Sequence, residues 1–232
     1  MKRLEIAFTK ISKYCQGIEE IVKERGHLVD LLIKALKTVN YNEEDIPGHE
    51  LEHTFRVFEI AIIMGCKLRA ALKPLAIAAL LHDVGRFSSE NESMNHAEIS
   101  ADIAEGILEN YQDKDLIVRM IREHSYSSNK KPSSLESAIL QDADKIDALG
   151  FIGVARVFAY GGYKKRVIYN SIYNGENQSS LQHFYDKILK LVDLMNADLG
   201  RKIAERRTEK IKYFIRELAK EIDLLDFSQA LT

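Results

Sequence analysis

The sequence is poor in the residues that interrupt regular structure. Its 232 residues contain 12 glycines and 3 prolines, and these two residue types together have about half their usual share. Sandwiches and barrels need turn residues at intervals of about 8–12 positions, so this scarcity argues against an all-β fold. Long stretches with few breakers instead predict an all-α chain, which we expect to form a single domain over residues 1–232.

Cysteines and long apolar runs are also scarce. The only cysteines are Cys15 and Cys66, and their positions indicate neither a disulfide framework nor a cysteine-based zinc site. The N-terminal segment MKRLEIAFTKISKY lacks the apolar stretch of a signal peptide. The most apolar run, from Pro74 to Leu81, is too short to cross a membrane. These absences predict a cytoplasmic protein in a reducing compartment, without a membrane partner.

The chain has no excess of charge of one sign. Its 33 lysines and arginines nearly balance 35 aspartates and glutamates, giving a formal net charge of −2. Without a basic field we expect no nucleic-acid partner. Basic residues near the C-terminus are interleaved with Glu205 and Glu209, which favours a solvated helix face over a nucleic-acid surface. The oligomeric state stays open at this point.

The periodicity of apolar residues divides the chain into three parts. Residues 1–47 are predicted to form an N-terminal helical extension, residues 48–162 a core, and residues 163–232 a loop followed by C-terminal helices packed on the core. Gly65 and Gly85 are the predicted stops of the first two core helices. The pattern predicts a long exposed loop over residues 163–180 and helices over residues 49–64, 73–83, 95–110, 113–124, 135–149, 181–195 and 197–223.

A histidine–aspartate pair, His82-Asp83, ends the most apolar predicted helix. Burying a carboxylate without a partner costs several kcal/mol, so either a metal ion or a basic side chain should lie beside it. His53 is predicted to point into the same interior, because its helical stripe is apolar. The other members of that stripe are Val57, Ile60, Ala61 and Met64.

Two aspartates, Asp142 and Asp144, lie in a later amphipathic helix. Periodicity does not choose between them, because each lies beside apolar neighbours. Imidazole and carboxylate ligands without a thiolate suit Mn, Fe, Co, Ni or Zn, with Mg a weaker fit. Such an ion lowers the pKa of a bound water and polarises a phosphoryl oxygen, so the set indicates a hydrolase.

Three sequence blocks resemble the HD-domain superfamily of metal-dependent phosphohydrolases, and in particular bacterial single-domain HD hydrolases. The blocks are EHTFRV, ALLHDVGRF and QDADKIDALG, and the resemblance extends over about residues 48–222. It implies an HD-domain helical bundle with residues 48–162 as the metal-binding core. The implied ligands of a central divalent metal are His53, His82, Asp83 and Asp144. Because the family's ligand aspartate follows an alanine and precedes a basic residue, the resemblance implies Asp144 rather than Asp142.

The same resemblance implies hydrolysis of a phosphoester or phosphoanhydride in a small molecule, such as a nucleotide, by attack of metal-bound hydroxide. Val84 and Gly85 stand where alarmone hydrolases carry an acidic pair, and Ser125 follows His124 where cyclic di-GMP hydrolases carry a Gly-Tyr-Pro motif. Both departures weaken those specialised activities. The alternatives are a phosphodiesterase of cyclic or linear dinucleotides and a non-catalytic sensor of metal and nucleotide.

Further side chains are implied around the metal. Asp83 is expected to take part in catalysis, together with His96 and His124. These two histidines are expected to contact the substrate phosphate, with a second metal or a structural role as the alternatives. Lys145 and Arg86 are the candidate phosphate-binding cations, although Lys145 also fits a solvated helix position.

Three further histidines and one arginine lie outside the implied set of ligands and phosphate-binding residues. His49 lies one turn before His53 and is expected to line the pocket, whereas His27 and His183 have no assigned role. Arg207 lies on an apolar stripe, and we expect it to pair with a buried Asp142.

Overall fold

The computed structural model describes residues 2–41, 50–88, 95–125, 130–170 and 179–223. Over these ranges the chain forms α-helices and 3₁₀ turns, with no strand. The predicted all-α class is therefore confirmed. His49 and the Pro-Gly turn before it lie outside the described residues, as does most of the second half of the predicted 163–180 loop.

The helices follow one another with short connections. Their bounds are α1 Lys2–Ile11, α2 Glu19–Lys23, α3 Arg25–Thr38, α4 Leu51–Leu68, α5 Leu72–Leu81, α6 His96–Ile107, α7 Lys114–Glu123, α8 Leu135–Asp147, α9 Gly150–Tyr163, α10 Ser180–Asp186 and α11 Asp198–Ile222. Two 3₁₀ segments, Val84–Phe87 and Ile188–Leu194, follow α5 and α10.

The core is built around α4 and α5. Helix α4 packs against α1, α5 and α8, and every residue of α5 from Pro74 to Leu81 is buried. A helix that is apolar on all sides is stable only inside a protein. The predicted burial of this run is confirmed.

Two helix ends differ from the predictions. Helix α4 continues past Gly65 to Leu68 and ends where Arg69 adopts a left-handed conformation with φ 58°. The single helix predicted over 181–195 is interrupted at Lys187 and continues as a 3₁₀ segment. Residues three apart share one side of a 3₁₀ helix, and this geometry buries both Ile188 and Leu191.

The two cysteines form a disulfide, which corrects the expectation from their spacing. Cys15 follows α1 and Cys66 lies in the last turn of α4, with their Cα atoms 5.8 Å apart. They are separated by 51 residues in sequence, so only the packing of α1 on α4 brings them together.

None of the helices described here is long and apolar enough to span a membrane.

Asp142 links α8 to the start of α11, and the predicted pair with Arg207 is wrong. The Asp142 carboxylate accepts hydrogen bonds from the backbone N–H of Asn196 at 2.8 Å and of Ala197 at 2.9 Å. Arg207 instead donates from Nη1 to the Ile146 carbonyl at 2.7 Å. Asp142 is fully buried, so its predicted burial is confirmed. Its partner, however, is the N-terminus of α11 and not Arg207.

Candidate metal centre

Four side chains from three regions of the bundle converge in its interior. His53 lies in the first turn of α4, and Asp144 lies near the end of α8. His82 and Asp83 follow the last residue of α5. His53 and His82 are fully buried, and Asp83 is 2% exposed. The structure thus brings together the four residues that the resemblance implied as ligands.

His82 is oriented by its own helix. Its Nδ1 lies 2.8 Å from the carbonyl oxygen of Ala79, and since a carbonyl only accepts hydrogen bonds, Nδ1 carries the proton. The opposite nitrogen, Nε2, is buried and has no hydrogen-bond partner among the described residues. Burial lowers the pKa of His82 to about 4. The neutral ring therefore presents a lone pair to the interior.

His53 is oriented by a carboxylate instead. Its Nδ1 lies 2.8 Å from Asp147 Oδ2, while its Nε2 lies 3.4 Å from both Asp83 and Asp144. Burial and the charge of Arg156 would lower the pKa of His53, but the three aspartates raise it to about 10. In the metal-free protein the imidazole is therefore positively charged between carboxylates.

Asp83 occupies the middle of the cluster. One oxygen, Oδ2, faces His53, whereas the other, Oδ1, lies 3.4 Å from His124 Nε2 and 3.5 Å from His96 Nε2. His124 directs Nδ1 to the Ile121 carbonyl at 2.6 Å, so its Nε2 also points toward the centre. Burial lowers the pKa of His96 to about 3, which makes that ring neutral.

This donor set fits a divalent cation. The ligand atoms of His53, His82 and Asp144 all lie within 4.8 Å of one another, and the same holds for His82, Asp83 and His124. Burial would raise the pKa of Asp144, but the contact with His53 keeps it well below its usual range. Two imidazoles and two carboxylates gathered inside a protein suit such a cation, which would replace the Nε2 proton of His53. The two sets share His82, and the second includes one of the histidines considered for a second metal.

The two candidate phosphate-binding cations differ in their surroundings. Arg86 donates from Nε to Asp83 Oδ2 at 2.8 Å, and its Nη2 lies 2.9 Å from His96 Nε2. Lys145 is 8% exposed and donates from Nζ to the Leu194 carbonyl at 2.9 Å. It is therefore a buried residue tied to the backbone, not the solvated one considered as an alternative. Burial lowers the pKa of the Lys145 ammonium.

His96 is positioned by close packing between two elements. The 3₁₀ turn after Asp83 contacts the start of α6 so closely that a Cβ on Gly85 would lie 2.5 Å from the His96 carbonyl oxygen. The Gly85 N–H donates to Ser100 Oγ at 2.9 Å. Gly85 therefore allows the chain to approach α6 closely. The prediction that Gly85 ends a helix is wrong, because α5 ends at Leu81.

A cavity of about 310 Å³ opens beside the cluster. Its polar lining includes both candidate cations and His96, and its apolar lining comes from Ala148, α9 and the segment after α10. The lining residues are Arg86, His96, Ser125, Asp144, Lys145, Ala148, Gly153, Arg156, Val157, Tyr160, His183, Lys187, Ile188 and Leu191.

Several residues of this site were missed by the sequence reasoning. Arg156 and Lys187 add positive charge to the cavity wall, and His183, to which no role was assigned, lies there too. Asp147, which holds His53, lies three residues after Asp144 on the same helix. That spacing was a readable signal, because residues three apart share a helix face. No local pattern marked these three cavity residues, which lie in α9, in α10 and directly after α10.

The fold and the cluster define a class of all-α proteins in which histidines and aspartates from several helices surround a metal-binding point. The HD-domain family model matches residues 51–149, which include all four implied ligands. Bacillus subtilis YpgQ, an uncharacterized protein, is 32% identical over 189 residues, or 79% of this chain and 89% of YpgQ. The chain belongs to the HD-domain superfamily.

Solved structures of similar proteins have the same fold. A Lactobacillus plantarum protein superposes with a TM-score of 0.68 at 28% identity, covering 85% of this chain and 97% of that one. An HD-superfamily hydrolase from Bacillus thuringiensis gives 0.65 at 31% identity, with 86% and 98% covered. The complex of B. subtilis YpgQ with ADP gives 0.66 at 28% identity, with 84% and 97% covered.

Ribonuclease Y proteins are more distant relatives. The Staphylococcus epidermidis enzyme is 23% identical over 190 residues, which are 78% of this chain but 33% of that enzyme. The chain thus corresponds to about a third of a ribonuclease Y.

Proposed function

We propose that this protein is a metal-dependent phosphohydrolase that cleaves a phosphoester or phosphoanhydride of a small molecule, in particular a nucleotide. The observation that carries the proposal is the position of the buried histidine–aspartate cluster beside a cavity with basic walls. Its membership of the HD-domain superfamily and its likeness to an HD-superfamily hydrolase support a hydrolase.

His53, His82, Asp83 and Asp144 would hold the metal. The ligand types suit Mn, Fe, Co, Ni or Zn, with Mg a weaker fit. When bound, such an ion supplies Lewis acidity, which activates water as a nucleophile and polarises a phosphoryl oxygen. Asp83, central in the cluster, would also accept a hydrogen bond from the attacking water and so orient it.

The cavity residues would bind the phosphate groups. Arg86 and His96 lie beside Asp83 of the cluster and also line the cavity, and Arg156 and Lys187 add positive charge to its lining. Such residues raise the reaction rate mainly by placing hydrogen-bond donors around the phosphoryl oxygens, where negative charge develops in the transition state. Lys145 also lines the cavity, and because an ammonium has three donors it would bind a phosphate while still donating to the Leu194 carbonyl.

A nucleotide fits the remaining wall. Val157, Tyr160 and Leu191 add apolar and aromatic surface to the same cavity, as a base requires. The relative YpgQ has been crystallised with ADP, which supports a nucleotide ligand here. A second candidate, hydrolysis of a phosphodiester in a cyclic or linear dinucleotide, is favoured by the ribonuclease Y relatives.

A screen of nucleotides with Mn(II), Co(II), Ni(II) or Mg(II) tests the proposal, with phosphate and pyrophosphate measured separately. Release of either from a mononucleotide supports it, and cleavage confined to dinucleotides supports the second candidate. Binding of metal and nucleotide without turnover would indicate a sensor and contradict both.

His124 was expected to contact the substrate phosphate, but it does not line the cavity, and its Nε2 lies 3.4 Å from Asp83 Oδ1. We expect His124→Ala to keep its metal and lose about 10²-fold in kcat/KM through loss of a donor at the reacting centre. Loss of the metal would instead make His124 a ligand.

A further inference from the structure

Asp147 has more partners than a surface ion pair provides. It is 1% exposed, and both carboxylate oxygens are held by arginines. Arg56 donates from Nε to Oδ1 at 2.8 Å and from Nη2 to Oδ2 at 3.1 Å, and Arg156 donates from Nη1 to Oδ2 at 2.8 Å. The same Oδ2 faces His53 Nδ1 at 2.8 Å. Two arginines therefore fix a carboxylate whose remaining contact is the imidazole.

The contact determines which nitrogen of His53 faces the cluster. A carboxylate held by arginines accepts hydrogen bonds, so the proton of His53 stays on Nδ1 and Nε2 is directed toward Asp83 and Asp144. The other two buried imidazoles, His82 and His124, are held by backbone carbonyls three residues earlier. His53 alone among these three has a charged acceptor, which makes the ring a more basic ligand.

We propose that Asp147 is a positioning residue that holds His53 in the orientation and tautomer needed to bind the metal, with Arg56 and Arg156 fixing the carboxylate. This inference rests on the metal site proposed above. It also links that site to the cavity, because Arg156 lines the cavity wall and contacts Asp147 with the same guanidinium.

The competing explanation is that Asp147 only neutralises two partly buried arginines. In that case its loss would lower stability and leave metal affinity unchanged. If Asp147 positions His53, Asp147→Asn weakens metal binding, because the amide keeps one acceptor oxygen for three donors and its NH2 group, turned toward His53, would place the ring proton on Nε2. Metal affinity therefore separates the two explanations.

Asp142 supplies a matched control. It is a second buried aspartate on α8, also close in sequence to Asp144, but its carboxylate binds the start of α11. Asp147→Asn and Asp142→Asn remove the same charge with the same change of shape. Only the former alters the environment of His53.

The experiment is a titration of the metal-free wild type and both variants with Mn(II) and Co(II), measured by calorimetry at one pH, with circular dichroism to verify folding. We expect Asp147→Asn to bind about 10- to 100-fold more weakly than wild type. Asp142→Asn should bind like wild type and melt at a lower temperature. Equal affinity of the two variants would overturn the positioning role while leaving the metal site intact. A wild type that binds neither ion would overturn the site and the role together.

A second measurement applies if Asp147→Asn does not fold. In wild-type protein loaded with Zn(II), long-range ¹H–¹⁵N correlation spectra report which ring nitrogen of His53 carries the proton. We expect protonated Nδ1 and ligated Nε2. A proton on Nε2 would overturn the proposal without any variant.

Discussion

Asp142 and Asp144 lie two residues apart on one helix, yet they face different partners. Asp144 contacts His53 in the cluster, whereas Asp142 accepts from the backbone at the start of α11. We expect Asp144→Ala to fold with nearly unchanged stability and to bind metal poorly. Asp142→Ala should keep its metal and lose about 1–3 kcal/mol, the cost of a buried donor left unpaired. Thermal melts together with elemental analysis of both variants measure the difference. If Asp142→Ala empties the site, the ligand has been misassigned by two residues.

Metal binding should depend on pH because of His53. Its pKa of about 10 in the metal-free protein means that the ring carries a proton at neutral pH, and a metal must displace that proton from Nε2. His82, with a pKa of about 4, has none to lose. Loading should therefore release about one proton, and affinity should rise by up to about tenfold per pH unit from about pH 7 to 9. Calorimetry in buffers of different ionisation enthalpy counts the proton. Loading without proton release would show that His53 is not a ligand or is already neutral.

Individual residues were predictable where chemistry leaves a mark in the sequence. His82-Asp83 at the end of an apolar helix predicted a buried polar centre, and the helical stripe of His53 predicted its inward orientation. Periodicity did not separate Asp142 from Asp144, because both are packed against apolar neighbours and only their distant partners differ. The partner of Asp142 was mistaken for Arg207, since a helix N-terminus that binds a carboxylate has no distinctive residue type.

At the level of helices, the start of α11 depends on close contact with α8. A Cβ on Gly200 would lie 2.5 Å from Asp142 Oδ2. Gly200→Ala should therefore push the two helices apart and cost about 1–3 kcal/mol, which lowers the melting temperature by roughly 2–4 °C per kcal/mol. Gly106→Ala on α6 is the control, because nothing lies within 4 Å of its added methyl and alanine favours the helix by about 1 kcal/mol. Differential scanning calorimetry compares them, and an equal or higher melting temperature for Gly200→Ala would contradict the contact.

Helices were predictable where an apolar run or an apolar period is uninterrupted, as in α5 and α8 respectively. The break between α10 and the following 3₁₀ segment was not, because it depends on burial of Ile188 and Leu191 in the folded protein, where both line the cavity. The disulfide was missed for the same reason. Cys15 and Cys66 meet only once α1 has packed along α4.

In the molecule as a whole, a buried cluster lies beside a cavity. The cluster was foreseeable because its residues stand in short, recognisable blocks. The cavity was not, because α9 and the segment around Lys187 contribute its walls from parts of the sequence without a chemical motif. These walls supply the charge that makes a phosphate compound the proposed substrate.

The central claim is that hydrolysis of a phosphate compound depends on a metal held by this cluster. The most direct measurement is stoichiometric reactivation: the protein is stripped with a chelator, metal is added back in steps, and phosphate release from the best substrate is recorded at each step. We expect no turnover in the stripped protein, recovery with a breakpoint at about one equivalent per chain, and no recovery in His82→Ala. A breakpoint at about two equivalents would assign the second ion to the side of His96 and His124. Full turnover by the stripped protein, or equal reactivation of His82→Ala, would contradict the account.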